Sequence, residues 1–98
     1  MTTEVMFDIV NPADESVVTS VPELDAEAVD EAVDRARRAQ RRWAALTPAD
    51  RAAALRSFAD AVDAHVDELA DLEVRNSGHP VGQAEWEAGH VRDVLIYY

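Results

Sequence analysis

The chain has 98 residues, 48% of them hydrophobic, with a formal net charge of −11 and no cysteine. That length allows one small domain or part of a larger one. The acidic balance argues against nucleic acid and anionic membrane surfaces as partners, since both need a basic face. The missing cysteine excludes disulfides and thiolate metal ligands. All nine basic residues are arginine, and much of the apolar fraction is alanine, which favours helix but contributes little buried area. The large side chains available for a core are therefore few: Trp43, Leu46, Leu55, Phe58, Val62, Leu69, Leu72 and Leu95. Met1-Thr2-Thr3-Glu4 lacks a basic region followed by an apolar run, and no stretch approaches about 18 apolar residues. The reading is a soluble, cytoplasmic chain.

Residues 5–22 predict a β-hairpin. Val5, Phe7 and Ile9 alternate onto one face, Asn11-Pro12-Ala13-Asp14-Glu15 supplies turn formers, and Ser16–Val21 returns as β-formers closed by Pro22. Two strands alone are marginal in water, so this hairpin needs a surface to lie against.

From Asp25 the apolar period lengthens to three and a half. Val29, Val33, Ala36, Gln40, Trp43 and Leu46 step along one face of a helix over 25–46, with Ala32 and Ala39 beside them. Acids crowd its first turns and arginines (Arg37, Arg38, Arg41, Arg42) its last, the order the helix dipole favours, so the arginines read as dipole complement rather than a binding patch.

Thr47-Pro48-Ala49-Asp50 opens a second helix over 48–76, with Thr47 as cap, Pro48 at the first helical position and Asp50 as the acidic member of a capping box. Its stripe carries Leu55, Phe58, Ala59, Val62, Val66, Leu69 and Leu72, and Gly78 suits a left-handed cap. So short a linker predicts antiparallel packing of these two helices.

A third helix spans 80–98. Ala84, Ala88, Val91 and Leu95 form its inner face, while Trp86, His90 and Tyr97 project from the other side, an arrangement that expects contact on both sides. The fold class is thus mainly α with an N-terminal β-hairpin, in which the hairpin and third helix want partners the chain does not supply.

Candidate chemistry is sparse. His65, His79 and His90 are too far apart in sequence to put two ligands on one helix face, so no metal site is expected. Glu85/Glu87 and Asp67/Asp71 sit on predicted solvated faces, where acid/base work is implausible. Ser16, Ser20, Ser57 and Ser77 have no G-x-S-x-G context, and Gly78, Gly82 and Gly89 are too dispersed to cradle phosphate. The residues alone assign no catalytic, cofactor-binding or metal residue.

The order of segments nonetheless resembles the start of the aldehyde dehydrogenase superfamily. The resemblance rests on Ile9-Val10-Asn11-Pro12-Ala13, the strand ending Val21-Pro22-Glu23, and Trp43 through Arg51, similar to the family's W-x-x-x-x-x-x-x-R stretch. It continues through Leu69-Ala70-x-Leu72-Glu73 into Asn76-Ser77-Gly78-His79-Pro80, similar to the family's T-G-K-P turn, and ends at Val94-Leu95-Ile96-Tyr97-Tyr98. It implies the N-terminal part of an α/β fold, an incomplete piece of a larger NAD(P)-binding domain that would cover the free faces. It further implies oxidation of an aldehyde to a carboxylic acid by a cysteine nucleophile, a glutamate base and a glycine-rich cofactor turn, all beyond the position matching Tyr98. By this reading the chain is inactive alone and binds no NAD(P) itself, and its partner is the rest of the dehydrogenase fold or another subunit. In some relatives main-chain oxygens matching Ile9 and Val10, with an acid at the position of Asn76, hold a monovalent cation; the amide of Asn76 weakens such a site, and none is expected. The rival reading is a small helical interaction or dimerisation module without activity, a homo-oligomer or partner-docking unit acting through Trp86, Tyr97 and the hairpin edge.

Overall fold

A computed structural model describes residues 5–98, so the reading made for residues 1–4 lies outside it. Two strands, β1 (Met6–Val10) and β2 (Val17–Pro22), precede four helices: α1 (Ala26–Ala45), α2 (Pro48–Ala64), α3 (Val66–Ser77) and α4 (Val81–Tyr97). The architecture is mainly helical with an N-terminal hairpin, as the patterning predicts.

The hairpin is antiparallel with Phe7 opposite Val21 and Asp8 opposite Ser20, whose hydroxyl donates to the Asp8 carboxylate across the strands. The register slips between Ile9 and Val10, where Thr19 and Val17 are the partners and Val18 is left over as a bulge. The connecting turn is self-supporting. Asn11 Oδ1 accepts from the Ala13 amide at 2.9 Å and Asp14 Oδ1 from the Ser16 amide at 3.0 Å. Glu15 takes a positive φ of 63° there.

Asp25 caps α1 by accepting from the Ala28 amide at 2.8 Å, and Thr47 caps α2 by accepting from the Asp50 amide at 3.1 Å. The predicted antiparallel pair does not form: α1 buries no residue, and the extensive helix packing is of α2 and α3 against α4. The linker explains this. Leu46 and Thr47 are both extended (ψ 151° and 156°), as Pro48 requires of its predecessor, and no left-handed residue reverses the chain.

The single helix predicted over 48–76 is two helices, broken at His65. In an unbroken helix the His65 amide would bond to the Ala61 carbonyl. Instead His65 Nδ1 takes that carbonyl at 2.7 Å and the amide bonds one residue short, to Val62 at 3.0 Å. Side-chain competition for a backbone acceptor thus opens the joint.

The core also differs from expectation. Its buried members are Ala59, Val62, Ala70, Ala84 and Ala88, with Val66 and Val74 packed alongside, whereas Phe58, Leu69, Trp43 and Leu46 are exposed. Alanine lets α3 and α4 approach closely but buries little area. The molecule measures 48 × 43 × 16 Å, with a radius of gyration of 17.4 Å. Compact chains of about 100 residues have radii near 13 Å. The molecule's shortest dimension, 16 Å, is about a third of its longest, 48 Å. The chain is flat rather than compact, and it leaves large apolar side chains uncovered.

Candidate functional site

The residues that carry the resemblance are brought together at two joints. At the first, Trp43-to-Arg51, the Arg51 guanidinium donates to the carbonyls of Leu46 and, at 3.4 Å, Ala44. These are carbonyls of the α1 C-terminus with no partner inside the helix, so an arginine in the first turn of α2 closes the end of α1. Spacing in sequence marks this arginine; its role emerges only from the fold.

At the second joint the hairpin turn meets the end of α3. Gly78 adopts φ 73° and ψ 20°, and its amide bonds to the Val74 carbonyl at 2.9 Å, making the left-handed cap its sequence suggests. A Cβ on Gly78 would stand 3.0 Å from Pro12 Cγ. The Asn11-Pro12 turn and the Asn76-to-Pro80 turn, 66 positions apart from Pro12 to Gly78, therefore form one contact. Beyond it, His79 is half-buried with Nε2 3.2 Å from Glu87 Oε2 on α4. The approach lacks hydrogen-bond direction, so Nε2 is a buried ring nitrogen without a hydrogen-bond partner.

The remaining candidates lie apart. His65 sits at the α2–α3 joint, and His90 stacks on Trp86 with ring centroids 4.7 Å apart and planes inclined by 14°. No group of three metal-ligating side chains converges among the described residues. Asp67, Asp71 and Glu85 border one groove between α3 and α4, but Asp71 is engaged by Arg75 at 2.9 Å. Arg92 joins α4 to α2 through Asp63 at 2.9 Å, and the bonds it donates to Asp93 and then to Asp63 raise its already high pKa further. Asp14 is held below its ordinary 3.8, first by the Ser16 hydroxyl at 2.6 Å and then by the Ser16 amide. Both are structural arrangements at an exposed surface.

No glycine-rich turn stands ahead of a helix among the described residues. Gly82 stands in the first turn of α4 and Gly89 in its middle, with nothing near the position of a Cβ on either, and the α4 N-terminus is led by His79-Pro80 rather than a glycine-rich turn.

The joints fall on the motifs that carry the resemblance, and comparison with known proteins agrees with it. The aldehyde dehydrogenase family profile matches residues 1–98, and the chain belongs to that family, as its N-terminal segment. It is 33% identical over 92 residues to the succinate-semialdehyde dehydrogenase [NADP(+)] GabD of Escherichia coli (strain K12), covering 94% of this chain and 19% of that protein. A lactaldehyde dehydrogenase structure superposes with a TM-score of 0.91 at 33% identity, over 99% of this chain and 20% of that one. An NAD-dependent benzaldehyde dehydrogenase from Corynebacterium glutamicum superposes at 0.88 and 26%, over 95% and 20%. The chain thus spans about a fifth of the length of the relatives it matches.

Proposed function

We propose that this chain serves as the N-terminal scaffold segment of an NAD(P)-dependent dehydrogenase that oxidises an aldehyde to a carboxylic acid, and that it is catalytically inactive by itself. The observation that carries the reading is uncovered surface. The chain exposes 7765 Å². A compact protein of 10.8 kDa exposes about 5,500 Å². The excess lies on faces such as α1 and the outer side of α4, where Trp86 is 66% and Tyr97 81% exposed. The rest of a dehydrogenase fold is the partner we assign to them. Covalent aldehyde oxidation needs a thiolate to add to the carbonyl carbon before hydride leaves. With no cysteine, that step has no nucleophile here.

On this reading the segment contributes positioning only: Arg51 closes α1, and Pro12 on Gly78 ties the hairpin to the α3–α4 joint. We assign it to the cytoplasm; among the described residues no helix is long and apolar enough to cross a membrane. Calorimetric titration of NAD and NADP into the chain, followed by an aldehyde panel read by NAD(P)H absorbance, tests the proposal. No binding heat and no turnover are expected. Saturable nucleotide binding or turnover above buffer would overturn it.

A further inference from the structure

The α3–α4 contact is made by small side chains: Ala70 on one helix, Ala84 and Ala88 on the other, with Val66 and Val74 alongside. So little apolar area leaves modest forces at its rims to decide how firmly it closes. Both rims are acidic. Asp67 and Asp71 of α3 line a groove with Glu85 of α4, and Glu73 of α3 lines a second groove with Glu87 of α4. At about 3.6 residues per turn, Asp67 and Asp71 fall to one side of Ala70 and Glu73 to the other, so the two grooves flank the seam. The helix dipole accounts for Asp67, in the first turn of α3, and for none of the other four. Neither groove is lined by an arginine among the described residues. Arg75 is bound to Asp71 on its own helix, and Glu87 has the His79 ring 3.2 Å away.

We propose that this seam is a clasp set by ionic strength: dissolved salt closes it by screening its carboxylates, and dilute buffer loosens it. All five carboxylates are exposed, so their repulsion passes through solvent, where salt controls its reach. The screening length is about 30 Å at ~0.01 M salt, well beyond the roughly 8–10 Å between packed helix axes. At ~1 M it is about 3 Å, and the two rims no longer sense each other. The other contact of α4 has the opposite character. There Arg92 bonds to Asp63 of α2 at 2.9 Å, an attraction that salt weakens.

Urea titration of the full chain, followed by helical circular dichroism at a fixed pH, tests this between ~0.01 M and ~1 M sodium chloride. Relief of several like-charge pairs of helix-surface size should raise the midpoint by about 0.5–1 M urea across that range. Glu73→Gln with Glu85→Gln leaves no carboxylate facing another across either groove, and keeps an oxygen at position 73 to accept from Ser77. In dilute buffer that variant should have a higher midpoint than the wild type, and it should lose at least about half of the rise with salt. Asp30→Asn with Glu31→Gln removes the same charge from α1, which buries no residue, and should keep the wild-type rise. A wild-type midpoint that does not rise, or a chain with no cooperative transition at any salt concentration, would overturn the proposal. So would equal effects of the two double variants, which would assign the response to net charge alone. Nucleotide binding and turnover do not enter these readouts, so this proposal and the functional one fail separately.

Discussion

Gly78 is where backbone conformation and packing make the same demand, and Gly78→Ala measures both. At φ 73° an L-residue brings its Cβ against the backbone, at a cost of about 1–2 kcal/mol. The new methyl would also stand 3.0 Å from Pro12 Cγ. Ordinary carbon contacts lie near 3.5–4.0 Å, so the hairpin turn must shift, adding about 1 kcal/mol. The expected total is about 2–3 kcal/mol. Urea titration of the helical circular-dichroism signal reads this as a midpoint lower by about 2–3 M, taking a slope near 1 kcal/mol/M for so small a unit. Pro12→Ala removes the ring carbon at the contact, so the double variant should recover about 1 kcal/mol while the backbone cost remains. A loss below about 0.5 kcal/mol for Gly78→Ala, or a coupling near zero, would refute the joint between hairpin and α3.

Four further outcomes are expected. Thr47→Ala removes the α2 cap and should cost about 1 kcal/mol, largely recovered by Thr47→Ser, in the same urea titration. Ala84 is 2% exposed where α4 packs on α3; Ala84→Leu should cost about 1–3 kcal/mol by overpacking, and an unchanged midpoint would dissolve the α3–α4 contact. Trp43→Ala should cost under about 1 kcal/mol in dilute monomer, since Trp43 belongs to no core of this chain; a larger loss would mean that α1 packs within it. The Asp14 contribution should be fully present above its ordinary 3.8 and fade as pH falls through its lower folded value. Carbon-13 NMR of the carboxyl should show Ser16→Ala moving that titration upward, and an unmoved titration would remove Ser16 as the cause.

Local signals were the legible part of the fold. Pro12 and Pro22 bounded the strands, Thr47-Pro48 opened α2 and Gly78 ended α3, because caps and turns are decided within a few residues. The break at His65 was hidden, since a histidine in an apolar-periodic run gives no sign that its ring will take its own helix's carbonyl. The core is illegible in the sequence for a related reason. Periodicity finds the stripe but not what covers it, and here alanines are buried while Phe58 and Leu69 are left outside. The antiparallel α1–α2 pair failed because two extended linker residues outweighed the amphipathic match. In the candidate site, the spacing of Trp43 and Arg51 was visible but the carbonyl-closing role was not, being a contact across a joint. The meeting of Pro12 with Gly78 is longer-range still, and no local pattern encodes it.

On the proposed reading this chain is a scaffold, and the thiolate chemistry lies in dehydrogenase sequence outside these 98 residues. The most direct test of that reading is the coding sequence that follows the Tyr98 codon, read in all three frames. A glycine-rich cofactor turn and a cysteine nucleophile, in frame or displaced by a shift, is the result this account predicts. A continuation encoding neither would contradict it and leave a self-standing helical module in its place.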